Sequence, residues 1–295
     1  MIKKVKDRGY EIGEDKRELA EYVTSNFTVN FSSIKLYMNN IAKALRVNGY
    51  EVKVCEIKVS KRAVIGASEP FGFIPFEIGL SFDYILNIPY IPGSSLKGAF
   101  RHAFEELLIQ DLVVSKSKPT EVYAKSEGIN EVARELADKI FGSESCVGLL
   151  GVTDAYPIAP NEDGRIIIPD TITPHYPGSA TELDVKPNPI LFLAIAQGVT
   201  FRFYVFYKKT RDKNKLTIIS SDDIKVLKSK VKYASIFKGD LNKILKEIGA
   251  STSLVPWIDR AILYALAKGI GAKTAIGYSR FLVTKYCHVG DEIED

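Results

Sequence analysis

Apolar residues change their spacing several times along this chain, and each change marks an element. After a charged arm, Phe31, Ile34, Met38, Ile41 and Leu45 trace one helical face that Asn48-Gly49 terminates. The period then drops to two: Val52, Val54 and the run from Ile57 to Ile65 predict a first strand. Beyond a loop at 66–72, Phe76, Ile78, Leu80 and Phe82 alternate as a second extended element. Pro92-Gly93 predicts a turn and Ser94 or Ser95 an N-cap. Leu96, Phe100, Ala103, Phe104 and Leu107 then predict a helix over 95–108 with one buried face. A polar stretch at 115–130 predicts an exposed insertion, 131–141 a short helix and 149–156 a strand. Residues 190–196 and 200–207 predict a strand pair, 208–215 a basic loop and 225–248 a mostly helical segment. Trp257, Ile258, Ala261, Ile262, Ala265 and Leu266 share one face of a helix over 255–268, and a closing strand follows at 281–286.

Reduced to its core, this order is strand, helix, strand, then strand, helix, strand. It predicts an α+β fold with a ferredoxin-like βαββαβ core, the arrangement also used by RNA-recognition motifs. An N-terminal arm and helix (1–51) would precede the main domain (52–286), with insertions at 111–130 and 157–189 and an acidic tail at 287–295. Residues 157–189 are proline-rich and contain IIIPDTITPHYP. A compact domain rarely carries an unstructured loop of that length, so a protruding β-hairpin arm is expected, with too many prolines and polar residues to build much core.

Composition narrows the chemistry. A 46% hydrophobic content over 295 residues permits a substantial core. With 40 basic against 36 acidic residues the net charge is only +4, so a nucleic-acid surface must be a local patch. Cys55, Cys146 and Cys287 form an odd set without metal-ligand spacing, which argues against a disulfide framework and a metal site; Cys55 reads as a small core residue. No cofactor motif is present. The absence of a signal segment or a long apolar run predicts a soluble, cytoplasmic protein.

Two segments carry candidate chemistry. In GIGAKTAIGYSRF (269–281), Gly269, Gly271 and Gly277 permit positive φ and close backbone approach, and Lys273 supplies an ammonium beside exposed N–H groups. Together these form a concave anion site, although the same glycines would also serve a plain chain reversal before an edge strand. In PYIPGSSLKGAFRHAFEELL (89–108), Lys97 and Arg101 lie four apart on one helix side near its N-terminus, as an anion site or as a solvated face. A P-loop is excluded: Ala272 stands where the glycine before the lysine is required, and the loop follows a helix instead of a strand. A ribonuclease would need an acid and a base. His102 sits on a helix face and His288 in the tail; His175, five residues after Asp170, has a catalytic setting that a wedge against bases explains equally well.

The order of IPGSSLKGAFR followed far downstream by GIGAKTAIGYSRF resembles the RAMP superfamily of CRISPR-associated RNA-binding proteins. VTDAYPI (152–158), PDTITPHYP (169–177) and NPILFLAIAQGVTFRF (188–203) narrow the resemblance to the sixth-subunit family of type III-B, Cmr-type effector complexes, over residues 52–286. The resemblance implies a ferredoxin-like RAMP fold, RNA contact through loops and helix ends, and a place beside other RAMP subunits at the end of the complex backbone, near the 3′ part of the guide RNA. Lys97, Arg101, Gly269, Gly271, Lys273, Thr274, Gly277 and Arg280 would contact RNA, and Ile172, His175 and Tyr176 would wedge into the guide and target duplex. RAMP subunits that cut target RNA carry an aspartate in the loop after the first strand. Here GASEPFG offers only Glu69, and Asp83 lies too near the helix motif, so a non-catalytic subunit is implied. A guide-processing endoribonuclease using His175 or His102, and a purely structural cap, remain the alternatives.

Overall fold

The computed structural model describes residues 16–66, 76, 78–113, 130, 133–173, 189–208 and 255–290. Two helices, α1 (Lys16–Ser25) and α2 (Phe31–Val47), lead into β1 (Tyr50–Val59), the inner strand of the main sheet. A small ladder, β2 (Phe82–Asp83) with β3 (Ile88–Pro89), precedes the long helix α3 (Gly93–Val113); residues 133–141 form a second helix, α4. Then come β4 (Leu150–Val152), β5 (Tyr156–Ala159), the pair β6 (Ile167–Ile172) and β7 (Ile190–Ile195), β8 (Thr200–Lys208), α5 (Val255–Lys268) and β9 (Phe281–His288). The main sheet runs β4–β8–β1–β9, with β5 also on β8, and every pairing is antiparallel.

Side-chain alternation divides the sheet into two buried faces. Cys55, Ile57 and Val59 of β1 and Phe201, Phe203 and Val205 of β8 point inward. There they pack with Phe100 and Phe104 of α3, Ile258, Ile262 and Leu266 of α5, and Leu136 and Ile140 of α4. Val52, Val54 and Tyr204 point the other way, onto Ile34, Met38 and Ala42 of α2. Asn30 starts α2, its side chain accepting the Ser33 N–H at 3.1 Å. The stripe read from the sequence is therefore the lid over the sheet's second face.

Several predicted elements differ in the structure. β1 stops at Val59, where the chain leaves the main sheet; Ala63 instead pairs with Ile195 in an isolated bridge. Of the alternating run from Phe76 to Phe82, only Phe82 enters a ladder. The first turn of α3 is capped from elsewhere in the chain: the Asp154 carboxylate accepts the Gly93 N–H at 2.6 Å. A Cβ at Gly93 would stand 2.7 Å from Val152 O, so glycine lets the helix start abut β4. Asp154 lies in the break that splits the strand predicted at 149–156, and Thr153 bridges that break through two bonds to Tyr204.

Within the proline-rich segment, β6 pairs antiparallel with β7, in register from Ile167 opposite Ile195 to Ile172 opposite Ile190. The described part of 157–189 reaches the core, against expectation: Ile158, Ile166 and Ile167 are buried, and Ala20 and Val23 of α1 join the same cluster as Ile167 and Leu193. Residues 157–159 belong to the main sheet. Pro169 is accommodated because β6 pairs on one side only. The segment 174–188, with His175 and Tyr176, lies outside the described residues, as do Glu69, 115–129, the basic loop beyond Lys208 and 225–248.

Candidate nucleic-acid interface

The glycine-rich loop leaves α5 and folds back on the chain. Gly269 and Gly271 both have φ of +111°, Lys273 +60°, Gly277 +91° and Ser279 +54°, with a 3-10 turn at Thr274–Ile276 between them. A Cβ at Gly271 would lie 2.7 Å from Val64 O and 2.8 Å from Ile65 Cγ1. Its close approach is thus to the chain's own residues 64–65, in place of the expected ligand. Most donors of the loop are also committed internally. Ile270 N–H bonds Ser279 O, Ala272 N–H bonds Val64 O, Tyr278 N–H bonds Lys273 O, and Ser279 N–H bonds Arg62 O, all between 2.7 and 3.2 Å. Buried Ser279 Oγ accepts the Val64 N–H at 3.1 Å. The N–H groups of Gly271, Lys273, Thr274 and Ala275 stay outside these bonds. The loop is a clasp closed on the chain itself, with the N–H groups of 273–275 left outside its own bonds.

Lys273, at the tip of that clasp, lies over two rings, its Nζ 4.8 Å from the Phe192 centroid and 5.1 Å from that of Tyr278. Partial burial lowers its pKa, and the neighbouring Asp170 carboxylate opposes that shift. Asp170 itself is buried. One of its oxygens accepts Arg62 Nη1 at 2.5 Å and the Thr171 N–H at 2.9 Å, and the other accepts the Tyr278 hydroxyl at 2.6 Å. Burial first, then this bond, pushes the Tyr278 phenol up. Ile172, Ala272 and Tyr278 pack around the Val64–Phe192–Ala194 cluster. The PDTI stretch of β6 and the glycine loop therefore form one surface, two motifs that lie far apart in the sequence.

The remaining candidates divide. Arg280 is exposed, with Nη2 donating to Thr274 O at 3.2 Å, so it flanks the same loop. Lys97 is half-buried on α3, has no ion-pair partner among the described residues, and has its pKa lowered by burial. Arg101 is engaged within the fold: it donates to Glu105 at 3.0 Å, Asp138 at 2.5 Å and Gly142 O at 2.7 Å, tying α3 to α4. His102 is exposed, and His288 Nδ1 stands 4.0 Å from Glu51. Among the described residues, no group of three or more His, Cys, Asp or Glu is placed to hold a metal ion, and no helix is long and apolar enough to cross a membrane. Sequence reasoning missed Arg62, Asp170 and Tyr278 as a connected set; its one available signal was the closeness of Asp170 to the histidine motif.

Comparison with known proteins fits this geometry. The RAMP superfamily model matches residues 44–281. The CRISPR system CMR subunit Cmr6 of Saccharolobus solfataricus is 30% identical over 289 residues, 97% of this chain and 78% of that protein. Among solved structures, a chain from the type III-B Cmr-beta complex bound to cognate target RNA, determined by electron cryomicroscopy, superposes with a TM-score of 0.61 at 29% identity, over 93% of this chain and 72% of the other. With a family model spanning most of its length and a relative matched along nearly all of it, the chain belongs to the RAMP superfamily and is a Cmr6 homologue.

Proposed function

We propose that this protein is a non-catalytic, RNA-binding subunit of a type III-B CRISPR effector complex, placed at the end of the complex backbone against the 3′ part of the guide RNA and neighbouring RAMP subunits. One observation carries this reading: the likeness, over 93% of the chain, to a chain of the Cmr-beta complex bound to cognate target RNA. Its core is of the ferredoxin-like type, a reading supported by the strand order β4–β8–β1–β9, with all pairs antiparallel and helices α3 and α5 packed on one face. The RNA-contacting surface centres on Lys273, Thr274 and Arg280 at the clasp, with Lys97 on the helix motif. Gly269, Gly271 and Gly277 shape it. Ile172 of β6, with His175 and Tyr176, contacts the guide and target duplex. Arg101 serves the α3–α4 junction. Guide pairing reads sequence, so this surface needs only backbone and shape contacts.

The experiment is crosslinking in the reconstituted complex, followed by cleavage assays of substituted complexes. Peptides covering 269–281 and 169–177 are expected to crosslink to the 3′ part of the guide, and Glu69→Ala and His175→Ala to leave target cutting intact. Loss of cutting in either would make this subunit a nuclease. Retention in the complex with no crosslink would make it a structural cap.

A further inference from the structure

The second face of the main sheet is covered only in part by α2, and the gap is a cleft of about 690 Å³. Ala42, Val54, Ile158 and Ala159 give it an apolar lining; Lys35, Glu56, Arg202 and Lys285 give it charge, and Asn39 and Tyr204 add uncharged polar groups. From this cleft we infer that the protein has a second binding site, for a nucleoside phosphate, either a free nucleotide or one nucleotide of an RNA strand.

The placement follows from register. Glu56 of β1 stands opposite Arg202 on β8 and opposite Lys285 on β9, so the three form a row across three strands. A bulge at Thr284 keeps Lys285 in that row: the pairing shifts between Glu56 and Ile57, and the Thr284 hydroxyl donates to Glu56 O. Arg202 is committed, its Nε and Nη2 on Glu56 Oε1 at 3.0 and 2.7 Å and its Nη1 on Asn39 Oδ1 at 3.1 Å. Lys35 and Lys285 are exposed and have no ion-pair partner among the described residues. Beyond these bonds the cleft offers two ammonium groups, the Asn39 amide donors and the Tyr204 hydroxyl, against Glu56 Oε2 and the His288 ring, whose Nδ1 stands 4.0 Å from Glu51. Such a donor excess selects an acceptor-rich anion.

An acidic peptide would bring its carboxylates towards Glu56. A ribose phosphate instead matches the charged groups and the lining: phosphate oxygens on Lys35 and Lys285, a sugar hydroxyl on Glu56, and the base over the apolar lining. A volume near 690 Å³ lies within the usual span of small-ligand sites, roughly 300–1,000 Å³. The site is separate from the glycine clasp, which lies at the opposite end of β9, before Phe281.

Calorimetric titration of the full chain with 5′-AMP, adenosine, 2′-deoxy-AMP and a short single-stranded RNA tests the inference. AMP is expected to bind and adenosine not to. The surface double variant Lys35→Ala/Lys285→Ala is expected to weaken AMP about tenfold with an unchanged melting temperature, and Lys273→Ala to leave AMP binding alone, which keeps this test independent of the clasp. If the double variant also weakens RNA, flattening its salt slope by about 0.7 for each phosphate no longer neutralised, the natural ligand is a strand; if only AMP weakens, it is a free nucleotide. Deoxy-AMP binding as tightly as AMP would overturn the role of Glu56. The site itself is overturned if neither AMP nor RNA responds to the double variant, or if that variant alters only retention of the subunit in the assembled complex.

Discussion

Valine in place of Gly271 meets two obstacles at once. A φ of +111° is closed to β-branched residues, and a Cβ there would stand 2.7 Å from a backbone oxygen that cannot swing aside. Backbone strain alone costs on the order of 1–3 kcal/mol, so Gly271→Val is expected to lower the chemical-denaturation midpoint clearly before any effect on RNA is considered. Lys273→Ala behaves differently. It removes a partly buried ammonium stacked on Phe192 and Tyr278, a loss of about 0.5–1 kcal/mol, and leaves the backbone of the clasp in place. Its main effect is expected in RNA titrations across a salt series, where the log–log slope flattens by about 0.7 once one phosphate is no longer neutralised. An unchanged slope with unchanged affinity would remove Lys273 from the interface. Because burial lowers its pKa, the charge contributed by Lys273 is present below its shifted value and is lost on raising the pH sooner than for a free lysine.

At the scale of elements, Asp170 fastens the β6–β7 pair to the clasp, since Arg62, Thr171 and Tyr278 all donate to it. Asp170→Asn keeps the shape and removes the charge. It is expected to cost about 1–3 kcal/mol, moderated because Arg62 is 45% exposed and can be rehydrated. Hydrogen exchange locates the effect: amides of 167–172, 190–195 and the glycine loop are expected to lose protection together, while β1 and β8 keep theirs. Protection lost in only one of the two segments would show that Asp170 does not join them. This junction also marks what was legible in the sequence. The stripes of α2 and α5 and the alternation of β8 carry their faces in their spacing, and the structure follows them. The meeting of Asp170 with Tyr278, or of Asp154 with the start of α3, has no period to betray it, because each joins residues distant in sequence through one hydrogen bond. The irregularity of the glycine loop is legible in its composition; its tight approach is made to the chain's own residues 64–65, and residue type alone does not say what a glycine lies close to.

Across the whole molecule, stability depends on polar groups buried between the main sheet and α5. Lys53 of β1, its side chain 6% exposed, donates to both oxygens of Asp259 on α5 at 2.8 and 2.6 Å, and the Tyr286 hydroxyl of β9 donates to the same carboxylate at 2.5 Å. Burial first, and then the Asp259 bond, pushes the Tyr286 phenol far up; burial pushes Tyr207 up to about 12. Both phenols are raised in the folded state. Their stabilising contribution is therefore complete below the unfolded value of about 10 and is lost as pH rises through and beyond it, so the denaturation midpoint is expected to be level near neutrality and to fall above about pH 10. Asp259→Ala asks more of the fold. It strands the Lys53 ammonium in a site with 6% exposure and removes the acceptor of Tyr286, which is expected to cost about 3–5 kcal/mol. The double variant Lys53→Met/Asp259→Leu replaces the pair with apolar side chains of similar length and is expected to recover much of that loss, because a buried ion pair offsets its own desolvation only in part. Denaturant melts of Lys53→Met, Asp259→Leu and the double variant close a thermodynamic cycle. Additive losses would show that Lys53 and Asp259 act independently, and that α5, which leads into the glycine clasp, is held on the sheet by its apolar face alone.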